Sequence, residues 1–400
     1  MATWIIEPHD PLIFRDGRPF GPNPGARAKT LSFPFPSTTT GGVRTRAGLV
    51  NDVFEATDEN VRAVKEIHVR GPLLVQLSTT NNMHDIEDWM IPAPIDALLF
   101  ERTQQEKQIE IKQLVPVLPP NDTLTDFDLK NPEKLWLVGL EQSDNRKPTK
   151  DAPHYWNWNA FQSWLLNSTD LSQQTTETKQ LGHGGPPQEQ RLHVSIDPET
   201  GTARDGALFE TSGLEFTHGK QIYEAKRLAL AVEVDEEGQG KKIEPGLTHL
   251  GGERRMVSWH KSDKAFPECP QELEDAIVEM GACRMFLLTP IYFTKGYLPT
   301  HLRQTRDGVT PELKAIAVQR PQVVSGWNLE NGIRGPKPTR RLAPAGTVLF
   351  LKLGKDTKAI KQWVRSIWMQ CVSDELQDRK DGFGLAVLGT WSGERVVMKG

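Results

Sequence analysis

Cysteine is nearly absent: Cys269, Cys283 and Cys371 are the three in 400 residues, an odd number at wide spacing. Such usage excludes a disulfide framework and the paired-cysteine spacing of zinc motifs, and it implies a reducing, cytoplasmic setting. Long apolar runs are also missing. No stretch reaches the roughly 18 residues of a membrane span, and the opening MATWIIEPHDP has neither the basic nor the apolar region of a secretory leader, so no membrane contact is expected. The ten histidines are scattered without catalytic or metal spacing, and no metal or cofactor is expected. Positive charge is lacking overall as well. A net charge of −4 and a pI near 6.2 exclude the domain-wide basic footprint of a stand-alone nucleic-acid binder. Hydrophobic content is a lean 37%, while 29 prolines and 33 glycines predict small cores carrying long irregular insertions.

What positive charge there is, is local. Between Asp10 and Arg46 the chain places Arg15, Arg18, Arg27, Lys29, Arg44 and Arg46 against Asp10 and Asp16 alone. Ser37, Thr38, Thr39 and Thr40 then precede Gly41-Gly42 and a short helical pattern at Val43, Ala47 and Val50. Hydroxyls in that position predict a helix cap, and a helix N-terminus with arginines in its first turns predicts a phosphate site; the competing reading is a proline-rich loop with solvated arginines. A second excess lies at 301–345, where Arg303, Arg306, Lys314, Arg320, Arg334, Lys337, Arg340 and Arg341 face Asp307, Glu312 and Glu330. Two basic patches on an acidic body suggest one confined RNA contact and other faces committed to proteins.

Short β-rich runs occur at Thr3–Ile6, 135–140, 191–196, 227–234 and 254–260. Some eighty residues after the first helix show few clear elements. Segment 168–190 is polar, closed by Gly-Gly-Pro-Pro, and reads as a mobile insertion. Just before it, Phe161, Trp164 and Leu165 share a helical face that predicts core packing rather than base stacking. A second domain is expected from Ala282, with strands at 283–293 and 347–354 and a helix capped by Asp356, whose stripe is Ile360, Trp363, Val364, Ile367, Trp368 and Cys371. The closing GFGLAVLGTW follows a helix rather than opening one, which excludes a dinucleotide-binding loop.

Blocks of sequence across nearly the whole chain carry a resemblance: DPLIFRDGRPF at 10–20, FPFPSTTTGGVRTRAG at 33–48, IDPETGTARDGALFETSGLEF at 196–216, LGGERR at 250–255, RPQVVSGWNLENGIRGPKPTRRLAPAGTVLFLKL at 320–353 and GFGLAVLGTW at 382–391. They resemble the subunit-three family of the type III-B CRISPR (Cmr) effector complex, within the RAMP superfamily. The resemblance implies an α+β fold of tandem ferredoxin-like (RRM-like) domains, divided here as 1–281 and 282–400, and a non-catalytic role in antiviral defence. It also implies partners: the 5′ tag of the CRISPR RNA (crRNA), the large polymerase/HD-type subunit, and the backbone-forming RAMP subunits of the same ribonucleoprotein.

Charge and resemblance together assign RNA contact to Arg15, Arg18, Ser37, Thr38, Thr39, Arg44, Arg46, Arg254, Arg255, Trp327, Lys337, Arg340, Arg341, Gly382 and Gly384. Arginine pairs on Gly- or Pro-constrained loops suit bidentate phosphate contacts, or equally an acidic protein surface. Trp327 fits base stacking, an interface or a core. Gly382 and Gly384 fit either close backbone approach to RNA or a plain helix stop and turn. A metal-independent endoribonuclease is the competing class, with His9, the histidine beside the arginine-rich loop, as its general base.

Overall fold

The computed structural model describes residues 1–15, 27–50, 53–79, 84–102, 108–120, 123, 135–166, 176–218, 225–236, 242–328 and 335–399. The fold is mixed α and β with largely antiparallel sheets. Two compact units are each assembled from three stretches of chain: Met1–Glu87, Gly185–Ala265 and Val323–Arg340 form the first, and Asp88–Gly184, Phe266–Gln322 and Arg341–Gly400 the second. This interleaving differs from the expected single boundary at 281/282, because strands distant in sequence close each sheet.

The main strands of the first unit are β1 (Ala2–Pro8), β2 (Val69–Leu77), β3 (Gln188–Ile196), β4 (Ala203–Leu214), β5 (Lys226–Val234), β6 (Gly246–His249) and β7 (Met256–Ser262), with helices α1 (Pro36–Ala47) and α2 (Asp58–Lys65). Five of them run antiparallel in the order β2-β5-β1-β7-β6. At the centre Ile6 lies opposite both Leu230 and Trp259, so the period-2 alternation sends Trp4 and Ile6 to one face and Ile5 and Glu7 to the other. Helix α1 covers the Trp259 face, since a Cβ on Gly42 would sit 3.1 Å from Leu250 Cδ1 and 3.3 Å from the Trp259 ring. Strands β3 and β4 form a long hairpin, tied to the N-terminal segment where Leu12 and Leu214 exchange backbone bonds of 2.9 and 2.7 Å.

In the second unit β8 (Ala282–Leu287), β9 (Glu312–Ala317), β10 (Val348–Lys352), β11 (Gln370–Cys371) and β12 (Leu385–Thr390) form an antiparallel sheet ordered β9-β10-β8-β12-β11. Helices α3 (Trp158–Leu166), α4 (Gln271–Met280) and α5 (Thr357–Ile367) pack on it. Asp356 caps α5 by accepting from the N–H groups of Lys358 and Ala359 at 3.1 and 3.0 Å. The buried stripe of α5 is Ile360, Trp363, Val364 and Ile367, as its spacing predicts, but the helix ends there and Cys371 belongs to β11. Phe161, Trp164 and Leu165 are buried, with Trp156 and Phe286 edge-on to Trp164 and Phe161. Core packing is the correct reading of that aromatic cluster.

Three expectations need correction. Helix α1 starts at Pro36 rather than near Gly41, because a proline's fixed φ suits the first helical position; Arg44 and Arg46 therefore fall in its last turn, and Val50 lies outside it, exposed. The stretch thought poor in elements contains α2, β2 and further strands; Gly71-Pro72 inside β2 reads as a breaker in sequence yet sits in a buried strand. Of the segment read as mobile, 176–190 is built into short elements. His183 pairs with Tyr155, and no side chain fits at Gly182, whose Cβ would lie 1.9 Å from the Tyr155 carbonyl oxygen. Residues 167–175 lie outside the described residues.

Candidate nucleic-acid interface

A cavity of about 440 Å³ in the first unit is lined by Ile13, Phe14, Arg15, Leu31, Phe35, Ser37, Thr38, Gly251, Gly252, Val323, Val324 and Ser325. Four loops meet there, and their backbones fix it. Phe14 N–H donates to Thr30 Oγ1 at 3.0 Å, Thr30 N–H to Ser212 Oγ at 2.9 Å, and Leu31 N–H to the Phe14 carbonyl at 2.7 Å. Gly252 N–H donates to the Ile13 carbonyl at 2.7 Å. Gly251 has φ +76°, and a Cβ there would lie 2.6 Å from that same carbonyl oxygen; only glycine lets the 250–255 turn approach so closely. The next two residues, Glu253 and Arg254, also hold positive φ, 59° and 49°, conformations that cost side-chain-bearing residues energy and that concentrate at functional sites.

The N-terminus of α1 opens on this cavity through Phe35, Ser37 and Thr38. It has no side-chain cap and no acidic residue in its first turn, so its positive dipole end suits an anion, although Pro36 has no N–H and the Thr38 N–H donates to the Phe35 carbonyl at 2.9 Å. Arg15 stands at the rim, paired with Glu253 at 2.6 Å; both side chains are about half exposed. Such a pair is solvent-screened and exchangeable. Beyond the Val323–Ser325 wall the chain turns outward: Trp327 is 60% exposed, which removes the core reading. Exposed Lys337 is held beside it by Lys337 N–H to the Gly326 carbonyl at 2.7 Å and Ser325 Oγ to the Lys337 carbonyl at 3.0 Å.

Arg15, Ser37 and Thr38 are thus brought together, with Arg254 exposed in the adjoining turn. Others go elsewhere. Arg44 donates to the carbonyls of Lys65 and Ile67, both at 3.1 Å. Arg46 donates to the carbonyls of Glu244 and Leu247 and lies 5.9 Å over the Trp259 ring; burial pushes its pKa down, with Glu244 opposing. Both arginines pin loops to the C-terminal end of α1, where cations complement the dipole. Thr39 is fully buried and bonds back to the Pro36 carbonyl at 3.0 Å. Arg255 is partly buried, and its Nε has no hydrogen-bond partner among the described residues. Arg340 ends the first unit, while Arg341 begins a segment of the second; Arg303, Arg306, Lys314 and Arg320 also belong to the second, so the linear charge run at 301–345 is divided between the two units. Arg18 and Arg334 lie outside the described residues.

Gly382 and Gly384 correct a further expectation. Both are buried and hold φ of 94° and 76°. Thr289 Oγ1 donates to the Gly382 carbonyl at 2.7 Å, Gly384 N–H donates to the Pro290 carbonyl at 2.9 Å, and a Cβ on Gly384 would lie 2.8 Å from Ile291 Cδ1. They form a tight interior turn, not an open cradle. The apolar walls Phe14, Phe35 and Val323 were not legible as site residues, because only the meeting of distant loops gives them a common surface.

Residues 4–391 match the family described as CRISPR-associated protein (Cas_Cmr3), and the chain belongs to that family, whose members are Cmr complex subunits. No curated protein sequence matches it significantly. Similar solved structures include a chain of the type III-B Cmr-beta complex bound to cognate target RNA, with 13% identity, TM-score 0.48, and 99% of this chain and 98% of that chain covered. Another comes from the same complex bound to cognate target RNA and AMPPnP, with 15% identity, TM-score 0.45, and coverage of 87% and 86%. A chain of the Csm3-Csm4 subcomplex of the type III-A interference complex has 11% identity, TM-score 0.28, and coverage of 89% and 95%. Among the described residues no helix is long and apolar enough to cross a membrane.

Proposed function

We propose that this subunit binds RNA without cutting it, holding the 5′ tag of the crRNA in the cavity of the first unit and joining it to the large subunit and the backbone RAMP subunits of a type III-B effector. The observation that carries the reading is the convergence of Arg15, Ser37, Thr38 and the Gly251-Gly252 turn at the uncapped N-terminus of α1. Phosphate sits against the dipole end of α1, the Ser37 and Thr38 hydroxyls and the Arg15 guanidinium, and exposed Trp327 offers a face to a base. We also infer that each unit rests on a ferredoxin-like core, since antiparallel strands carry helices on a sheet face in both.

Anisotropy titrations with tag-bearing and scrambled-tag RNA test the site. With about four phosphates neutralised, the slope of log affinity against log salt is near −3 for a single strand. The triple change Arg15→Ala, Arg254→Ala and Lys337→Ala is expected to reduce that slope to about −1. A triple variant with the parental slope overturns the site. Repeat RNA is expected to stay intact with or without divalent metal, and His9→Ala to change nothing; specific cleavage lost in His9→Ala would favour an endoribonuclease instead.

A further inference from the structure

On the face of the first sheet opposite α1, Glu7 of β1, His260 of β7 and His84 converge. One donor atom from each lies within 4.8 Å of the other two. Glu7 Oε2 is 3.0 Å from His84 Nδ1 and 3.8 Å from His260 Nε2, and the two imidazoles stack with centroids 3.9 Å apart. We propose that Glu7, His84 and His260 form a binding site for a borderline divalent transition metal, with zinc as the best-suited ion, completed by water.

The donor set is the argument. Two imidazoles and one carboxylate oxygen suit zinc, and ligands at 2.0–2.1 Å around a tetrahedral ion stand roughly 3.3–3.5 Å apart, a spacing that the 3.0 and 3.8 Å separations bracket. The carboxylate is divided between two tasks. Arg227 contacts Oε1 and fixes the orientation of the buried Glu7 side chain, which leaves Oε2 toward the histidines; a partner that orients a ligand in this way is usual around metals. Arg227 opposes the cation, but it does so from the far oxygen. Ser258 Oγ, 2.9 Å from His260 Nε2, can take the ring's hydrogen bond when the ion is absent. His84 is partly exposed, giving the ion a path in. Metal would take the place of the His84–Glu7 hydrogen bond and tie His84 to β1 and β7.

The test uses the full chain, stripped with chelator and titrated with Co²⁺ by absorption and with Zn²⁺ by calorimetry. One equivalent is expected to bind, with the intense ligand-field bands of four-coordinate cobalt. His84→Ala and His260→Ala are each expected to weaken binding at least about tenfold, since even changes around the ligands cost that much, with unchanged circular dichroism. His9→Ala and His193→Ala are expected to bind as the parent does. Absence of uptake, uptake without those bands, or uptake that survives in both ligand variants overturns the site. Because these residues are separate from the cavity, RNA affinity in the same variants distinguishes its failure from that of the RNA reading.

Discussion

Arg284 in the second unit and Arg15 in the first show two opposite uses of a guanidinium. Arg284 is fully buried, and every donor edge is taken: Nη1 donates to Asp96 Oδ2 at 2.6 Å, Nη2 to the Trp164 carbonyl at 2.7 Å and Nε to the Thr390 carbonyl at 2.8 Å. Trp164 Nε1 completes Asp96 at 2.9 Å. Arg15 is half exposed and paired with an equally exposed Glu253. The first charge is spent on holding α3, β8 and β12 together; the second can exchange its partner for a phosphate. Net charge and linear charge runs do not separate such residues, whereas burial does.

The largest expected effect comes from breaking the buried pair. Asp96→Ala strands the Arg284 charge and is expected to cost about 3–5 kcal/mol, read as lowered urea and thermal midpoints, with tag-RNA affinity of the folded protein unchanged. Adding Arg284→Met is expected to recover much of the loss; a double variant no better than the single would mean that the pair is not the reason. Next, Gly384→Val places a side chain at φ +76° against Ile291 and is expected to cost about 1–3 kcal/mol in backbone strain, again without changing RNA affinity. Weakened RNA binding at an unchanged melting temperature would return that glycine to the interface.

For the first unit the pattern reverses. Arg15→Ala is expected to reduce tag-RNA affinity by about 1–3 kcal/mol and the salt slope by about 0.7, while unfolding stays within about 0.5 kcal/mol of the parent. The smallest effect is a pH one. Burial alone would raise the pKa of Glu274 on α4, but hydrogen bonds from Arg365, Lys361 and Gln271 overcome it and hold the pKa at about 2, below the ordinary 4.5. A depressed carboxylate stabilises the fold above its unfolded pKa, and that contribution fades as pH falls from about 4.5 toward 2. Glu274→Gln is expected to flatten that part of the melting-temperature profile and to lower the midpoint at neutral pH by the same amount, a modest one because Arg365 and Lys361 are largely solvated. A parental acid slope in the variant would assign acid sensitivity to other groups.

Local rules made much of this chain readable from its residues. Short β-rich apolar runs mark β1, β5 and β7, the Asp356 cap and its stripe mark α5, and the motif blocks mark the family, because each rests on neighbours in sequence. Register of the first helix was not readable, since Pro36 and the Thr39 back-bond compete with four hydroxyls that all look like caps. The fates of Arg15, Arg44, Arg46 and Arg284, alike as letters, and the meeting of Glu7, His84 and His260 across 253 positions were decided by tertiary structure alone. Long-range strand pairing sets which carbonyls, carboxylates and rings surround a side chain, and a charge's role is set by those surroundings rather than by its neighbours along the chain.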